Sequence, residues 1–383
     1  MQNNKDIFVS KPYFPSLKKY VKYLEKVWEN GWMTNNGPMV LELERKLKKL
    51  LGVKHLLFVS NGTMALQLSI KALEMKPGEI ITTPLTYVAT TTAIIAEGFT
   101  PVFADIDIDD YSMDPKEIEK LITKKTRAIM PVHVYGYPSK MRQIERIAKK
   151  HNLKVIYDAA HAFGTEVDGV SILNAGDVSA LSFHATKLFH TGEGGAIVTN
   201  DDALAEKIAL YRSFGNVGDE HYLPGVNGKN SELHAALGLV NLTGIKRHIA
   251  RREKLAHTYD TYFNKTDLYR IQTGENVKYN FAYYPVLFKN EAELLSVMGG
   301  LEKKKIHARR YFYPALNTLP YVNKQDCPVA ETISKRILCL PLYTGLTSAQ
   351  VKEVARIIVN KITISKSIQK KPANREYREV IKI

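Results

Sequence analysis

The 383-residue sequence has only two cysteines. Cys327 and Cys339 form neither a zinc cluster nor a Cys-x-x-Cys pair, so disulfide scaffolds and dithiol redox chemistry are set aside. No apolar run approaches the length of a membrane span. The polar start Met1-Gln-Asn-Asn-Lys-Asp6 has no apolar signal core behind it, and the expectation is a cytoplasmic protein with no membrane partner. No phosphate-binding Gly-x-x-x-x-Gly-Lys-Ser/Thr loop and no Gly-x-Gly-x-x-Gly fingerprint occurs, which weakens nucleotide-hydrolase and dinucleotide-binding readings. Acidic residues are fewer than basic ones, giving a formal net charge of +15. The excess is spread along the chain, with small clusters at 303–305, 309–310 and 370–371. Without a nucleic-acid-binding module it points to an anionic small substrate or solvated surface, and no nucleic acid partner is expected.

What is present is a hydrophobic fraction of 45%, enough for two compact units. Between residues 50 and 200 a strand-then-helix rhythm recurs. Short apolar runs at 55–59, 80–82, 101–105, 127–133, 153–157, 178–182 and 195–199 read as strands. Periodic stretches at 62–73, 88–97 and 141–150 read as helices, with Leu66, Ile70 and Leu73 on one stripe. Seven strands separated mostly by helices argue for a large α/β sheet covered on both faces. After residue 200 come helix candidates at 202–212, 232–244, 291–304 and 348–360. A charged helix carries His248, Arg251, Arg252 and Lys254, and a strand-like run covers 279–288. These suggest a smaller α+β unit. A glycine-rich loop covers 215–228, and a polar, basic tail begins at Ser365.

In open α/β sheets, sites form at the carboxyl ends of strands. Gly62-Thr63, Tyr87, Asp158 and Ser182 all fall at or just after such ends. Lys187 lies in a loop flanked by Phe183, Phe189 and two histidines, and closed by Gly192, Gly194 and Gly195. A lysine so placed can join a carbonyl and exchange protons. Asp158 ends an apolar strand; it can cap the next helix or pair with a ring nitrogen. His161 can hold Asp158, approach a phenolic oxygen, or be an ordinary satisfied polar group. Residues 60–65 can be a capped turn or a helix start whose N–H groups cradle a phosphate, with Ser182 adding a hydroxyl. Tyr87 can stack on a ring or fill the core. Lysine, acid and phosphate loop together are the parts a pyridoxal phosphate enzyme needs.

The stretches Asn61-Gly-Thr-Met-Ala-Leu66, Thr82-Thr-Pro-Leu-Thr-Tyr-Val-Ala-Thr90, Pro131-Val-His-Val-Tyr-Gly136, Asp158-Ala-Ala-His-Ala-Phe-Gly164, Ser182-Phe-His-Ala-Thr-Lys187, Gly192-Glu-Gly-Gly195 and 227–238 carry a resemblance. Together the sequence resembles the DegT/DnrJ/EryC1/StrS family of sugar aminotransferases over nearly its whole length. The resemblance implies the fold type I, aspartate aminotransferase-like architecture of pyridoxal 5'-phosphate enzymes. It places a large, mostly parallel sheet domain at 1–240, N-terminal arm included, and a smaller α+β domain at 241–383.

By the same resemblance, Lys187 would be the lysine that binds the cofactor covalently and Asp158 the partner of its ring nitrogen. Tyr87 would stack on the ring, and His161 would approach the phenolic oxygen. Gly62, Thr63 and Ser182 would bind phosphate, and Asn227 would reach the phosphate site of the neighbouring subunit of a homodimer with shared active sites. Where the family often has Arg-Met before Ser-Glu, this chain has Lys229-Asn230. Arg309, Arg310 and Tyr313 are candidates for substrate anions, or for a helix end packed by aromatics. The implied reaction moves an amino group from L-glutamate to a nucleotide-linked ketosugar. The branch looks most like that acting on dTDP-4-keto-6-deoxy-D-glucose, giving the 4-amino-4,6-dideoxy sugar of surface polysaccharides such as lipopolysaccharide O-antigen. The alternatives are C3 amination of a dTDP-3-keto-6-deoxyhexose, a UDP-linked N-acetyl ketosugar, and a non-catalytic regulatory relative.

Overall fold

A computed structural model describes residues 6–368; the basic tail beyond, with Lys370 and Lys371, lies outside the described residues. Seven strands form the central sheet, in the order His55–Val59, Gly195–Thr199, Val178–Ser182, Lys154–Asp158, Thr126–Met130, Glu79–Thr82, Thr100–Phe103. Six run parallel in direction. Gly195–Thr199 is antiparallel to both its neighbours, with Gly195 opposite Val59 and Ser182. Because of that reversal the strand begins at the carboxyl edge, so the glycine loop before it lies beside the ends of its neighbours.

Alternation along the strands dictates the layers. Leu56 and Phe58 pack on one side with the helices Pro38–Leu51 and Glu232–Leu242. Leu57 and Val59 pack on the other with Gly62–Ala72 and Asp202–Tyr211. Both faces are covered, which explains the continuous apolar runs of the central strands. Helix Pro38–Leu51 starts with proline, and the buried Glu232 carboxylate accepts its Met39 and Val40 N–H groups at 2.6 and 3.0 Å.

A second core joins helices Ile245–Phe263, Glu291–Glu302 and Ser348–Ile368 to the antiparallel strands Pro285–Leu287 and Ile337–Cys339. The short strand Ile7–Phe8 pairs with Ile306–His307, and Ile7 enters this core. A further apolar cluster mixes residues of both halves, among them Val132, Tyr135, Phe312 and Cys339. Both cysteines are free and buried.

Three details differ from the sequence expectation. The run 279–288 is a strand only over Pro285–Leu287. Ahead of it the Asn280 side chain accepts the Ala282 N–H, and Phe281 adopts a positive φ, so the aromatic run turns instead of extending. The 215–228 loop contains a small hairpin, Asn216–Val217 with Glu220–His221. The Arg309-Arg310 pair follows a short strand rather than a helix end.

Candidate active site

Strand ends supply the site. After Val59, Asn61 caps the helix Gly62–Ala72. Its side chain accepts from Met64 N–H at 2.8 Å, and its carbonyl from Ala65 N–H at 3.0 Å. The Gly62 and Thr63 N–H groups ahead of them have no intrahelical acceptor. They are donors at the positive end of a helix, suited to an anion. A Cβ on Gly62 would sit 2.8 Å from Ser182 Cβ. Only glycine lets the helix start approach the strand end so closely, and the Ser182 hydroxyl borders the same spot.

Ser182 leads into the Lys187 loop. Phe183 N–H donates to Gly194 C=O at 2.7 Å, and Thr191 N–H donates to Phe183 C=O at 3.0 Å. The loop is thus cinched at its base. Phe183 and Phe189 anchor it in the core, edge to face at 4.9 Å. Lys187 is partly buried. Burial lowers its pKa, and the Asp158 charge opposes that shift. A lysine with a lowered pKa keeps more of its amine free at neutral pH, as covalent and proton-transfer chemistry needs.

Asp158, 5% exposed, ends its strand at the same edge. Burial raises its pKa, while Thr90 Oγ1–H at 2.6 Å, Ala160 N–H at 3.0 Å and Lys187 favour the charged form. Thr90 is in turn 3.0 Å from the Thr86 hydroxyl. His161 is buried and accepts Tyr135 N–H on Nδ1 at 3.2 Å. Burial holds its pKa well below the ordinary imidazole value. The ring is therefore neutral, with Nδ1 used as acceptor, and presents Nε2–H as a donor. Phe312 stacks parallel to it at 5.7 Å, and Tyr283 meets it edge-on at 4.7 Å. Asn280 fixes the segment by donating to the carbonyls of His161 and Phe163 at 2.7 and 3.0 Å.

Tyr87 is 59% exposed, so it does not fill the core. Its phenol acts electrostatically on Lys187. Asn227 is exposed; the adjacent Gly228 carbonyl accepts Ser60 N–H at 2.9 Å, so the backbone places Asn227 next to the Ser60 turn. The two arginines part company. Arg310 is held by Glu291 at 2.6 Å and the Lys335 carbonyl, and its guanidinium lies 3.6 Å over Tyr313. Arg309 is exposed and lies 5.0 Å over Tyr311.

Sequence reasoning assigned no role to Thr90, Tyr135 or Tyr283, and took Tyr311 only as part of the 311–314 run beside the candidate anion-binding arginines. Thr90 carried little signal of its own, being the first of three successive threonines in the helix Ala89–Ala96 behind Tyr87. The tyrosines come from segments far apart in sequence, and only the fold brings them to His161.

These groups fit pyridoxal phosphate: paired unpartnered N–H donors for its phosphate, a buried carboxylate for its ring nitrogen, and a half-buried amine for its aldehyde. Comparisons with known proteins agree. The chain is 43% identical to a dTDP-4-amino-4,6-dideoxy-D-glucose transaminase from Shigella dysenteriae, over 90% of this chain and 96% of that one. It is 38% identical to a transaminase of the same name from Escherichia coli, over 94% and 100%. The crystal structure of DesI in the presence of its TDP-sugar product superposes with a TM-score of 0.90 at 31% identity, covering 95% of each chain. The sequence profile of the DegT/DnrJ/EryC1/StrS aminotransferase family matches residues 17–359, and the chain belongs to that family.

Proposed function

We propose that the protein transfers an amino group from L-glutamate to C4 of dTDP-4-keto-6-deoxy-D-glucose, giving dTDP-4-amino-4,6-dideoxy-D-glucose. The observation that carries the reading is the Lys187–Asp158 pair beside the Gly62–Ser182 cradle. It occurs in a chain that is 43% identical to a transaminase named for that product. When bound, pyridoxal phosphate supplies an electron-accepting ring that stabilises negative charge on the substrate carbon.

The chain's own groups divide the remaining work. Gly62 and Thr63 N–H groups and the Ser182 hydroxyl hold the phosphate, with Asn227 of a second subunit as a further donor. Asp158 keeps the ring nitrogen protonated; its carboxylate is kept charged by Thr90 and Ala160. His161 donates from Nε2 toward the phenolic oxygen, and Tyr87 covers the ring face. Lys187 Nζ would hold the aldehyde and, when free, would move a proton at the substrate carbon.

In this reading the sheet domain spans 1–240 and the smaller domain 241–383, and the protein is a cytoplasmic homodimer that supplies an O-antigen precursor. Exposed Phe14, Leu17, Trp28 and Trp32 near the N-terminal helices support a partner surface, because a monomer rarely leaves so many large apolar side chains in water. The test is to incubate the purified protein with L-glutamate and a panel of dTDP- and UDP-linked ketosugars, then to locate the new amine by NMR. Amine at C4 of the dTDP sugar is expected; amine at C3, or on UDP sugars alone, overturns the substrate assignment.

A further inference from the structure

The two adjacent arginines look alike in sequence, yet the fold gives them opposite circumstances. Arg310 is internally neutralised by Glu291 and also donates to a backbone carbonyl. Arg309 has no carboxylate partner among the described residues. Its backbone is nevertheless fixed, since its N–H and C=O pair with Cys339 C=O and N–H at 3.2 and 2.8 Å. Its guanidinium lies 5.0 Å over the Tyr311 ring, a cation–π contact that holds the group near that ring.

Tyr311 connects this cation to the site in two ways. Its ring meets Tyr283 edge-on at 5.9 Å, and Tyr283 meets His161 at 4.7 Å. Its carbonyl accepts the Tyr135 hydroxyl, and Tyr135 N–H is the group that holds His161 Nδ1. Burial raises the pKa of the Tyr311 phenol, while Arg309 and Lys187 both pull it down, so the two cations face one phenol.

We propose that Arg309 is a receptor for a substrate anion beside Lys187, recognising with its fork either the carboxylate of the amino donor or the diphosphate of the nucleotide sugar. The proposal rests on the aminotransferase reading. A carboxylate and a diphosphate offer the same bidentate acceptor geometry, and an unpaired arginine matches both. Arg310 has its charge matched by Glu291 and its Nη2 already engaged by that carboxylate and the Lys335 carbonyl.

Calorimetry on the holoenzyme separates the two sources. Glutarate mimics the dicarboxylate donor without reacting, and dTDP mimics the nucleotide diphosphate. Arg309→Ala is expected to weaken one of them about tenfold to hundredfold, the size of a charge-assisted pair. Arg309→Lys is expected to recover only part of the loss, because a point charge lacks the fork. Loss for glutarate assigns the donor carboxylate; loss for dTDP assigns the diphosphate. Unchanged binding of both, or an equal loss of both, overturns the assignment. The absorbance band of lysine-linked pyridoxal phosphate is recorded on the same samples. If the band is present and binding is unaffected, only the Arg309 proposal fails. If the wild-type protein lacks the band, the aminotransferase reading fails and takes the proposal with it.

Discussion

Replacing Thr90 by valine removes one hydroxyl and keeps the shape of the helix that carries it. The structure predicts what this does to Asp158. Burial makes the Asp158 carboxylate costly to ionise, and the Thr90 hydroxyl at 2.6 Å is one of the groups that offset the cost. A hydrogen bond to a charged group contributes about 1.5–3 kcal/mol, against about 0.5–1.5 for a neutral pair. Thr90→Val should therefore cost about 1.5–3 kcal/mol where Asp158 is charged, and roughly half of that where it is protonated.

The sign of the pH dependence follows from the raised pKa. Between the ordinary aspartate value of about 3.9 and the higher folded value, the folded state holds a proton that the unfolded state has lost, so stability falls as pH rises through that window. Loss of Thr90 disfavours the carboxylate further and steepens the fall. At roughly 2.1 cal/mol/K per residue, unfolding 383 residues carries an entropy near 0.8 kcal/mol/K, so the charged-state loss is about 2–4 °C in midpoint. The assay is calorimetric melting of cofactor-free wild type and variant over a pH series running upward from the ordinary aspartate range. A deficit that grows as pH rises is expected. A deficit that is the same throughout, or none, refutes the claim that Thr90 acts by stabilising the charged carboxylate.

Lys187→Ala is expected to abolish transamination and the absorbance band of lysine-linked cofactor while leaving circular dichroism unchanged. Gly62→Ala puts a Cβ 2.8 Å from Ser182 Cβ; an overpacking cost of about 1–3 kcal/mol and weaker pyridoxal phosphate binding are expected, measured by melting and by fluorescence titration. Glu232→Ala strands the buried Met39 and Val40 N–H groups and is expected to cost about 2–5 kcal/mol in thermal unfolding. Its conservative partner Glu232→Gln, which keeps one acceptor oxygen, should recover part of that loss.

Much of the sheet was legible because its strands are buried on both faces and read as apolar runs. The candidates at 55–59, 178–182 and 195–199 coincide with strands, and the helix at 62–73 starts where expected. The antiparallel sense of Gly195–Thr199 was not legible. Direction depends on where the Lys187 loop returns the chain, and no local pattern encodes that. The helix Pro38–Leu51 also escaped notice, although it carries proline at its first position and an apolar stripe through Leu43, Leu47 and Leu51.

The site divides along the same line. Asp158, Ser182, Gly62 and Lys187 were visible because each sits at or just past a strand end, and strand ends are local features. The groups that tune them were not. Thr90 reaches Asp158 across 68 positions, Tyr135 reaches His161 across 26, and Asn280 reaches the His161 carbonyl across 119. Tyr135 does so from a positive φ, in a conformation rare for a tyrosine and supported here by bonds on both its N–H and its hydroxyl. Local pattern therefore tells which atoms can react, while the charge states of Asp158, His161 and Lys187 are set by burial and by partners that only the folded chain assembles. The same division explains the arginine pair. Two identical neighbours in sequence became one engaged residue and one available residue because the Glu291 carboxylate pairs with Arg310.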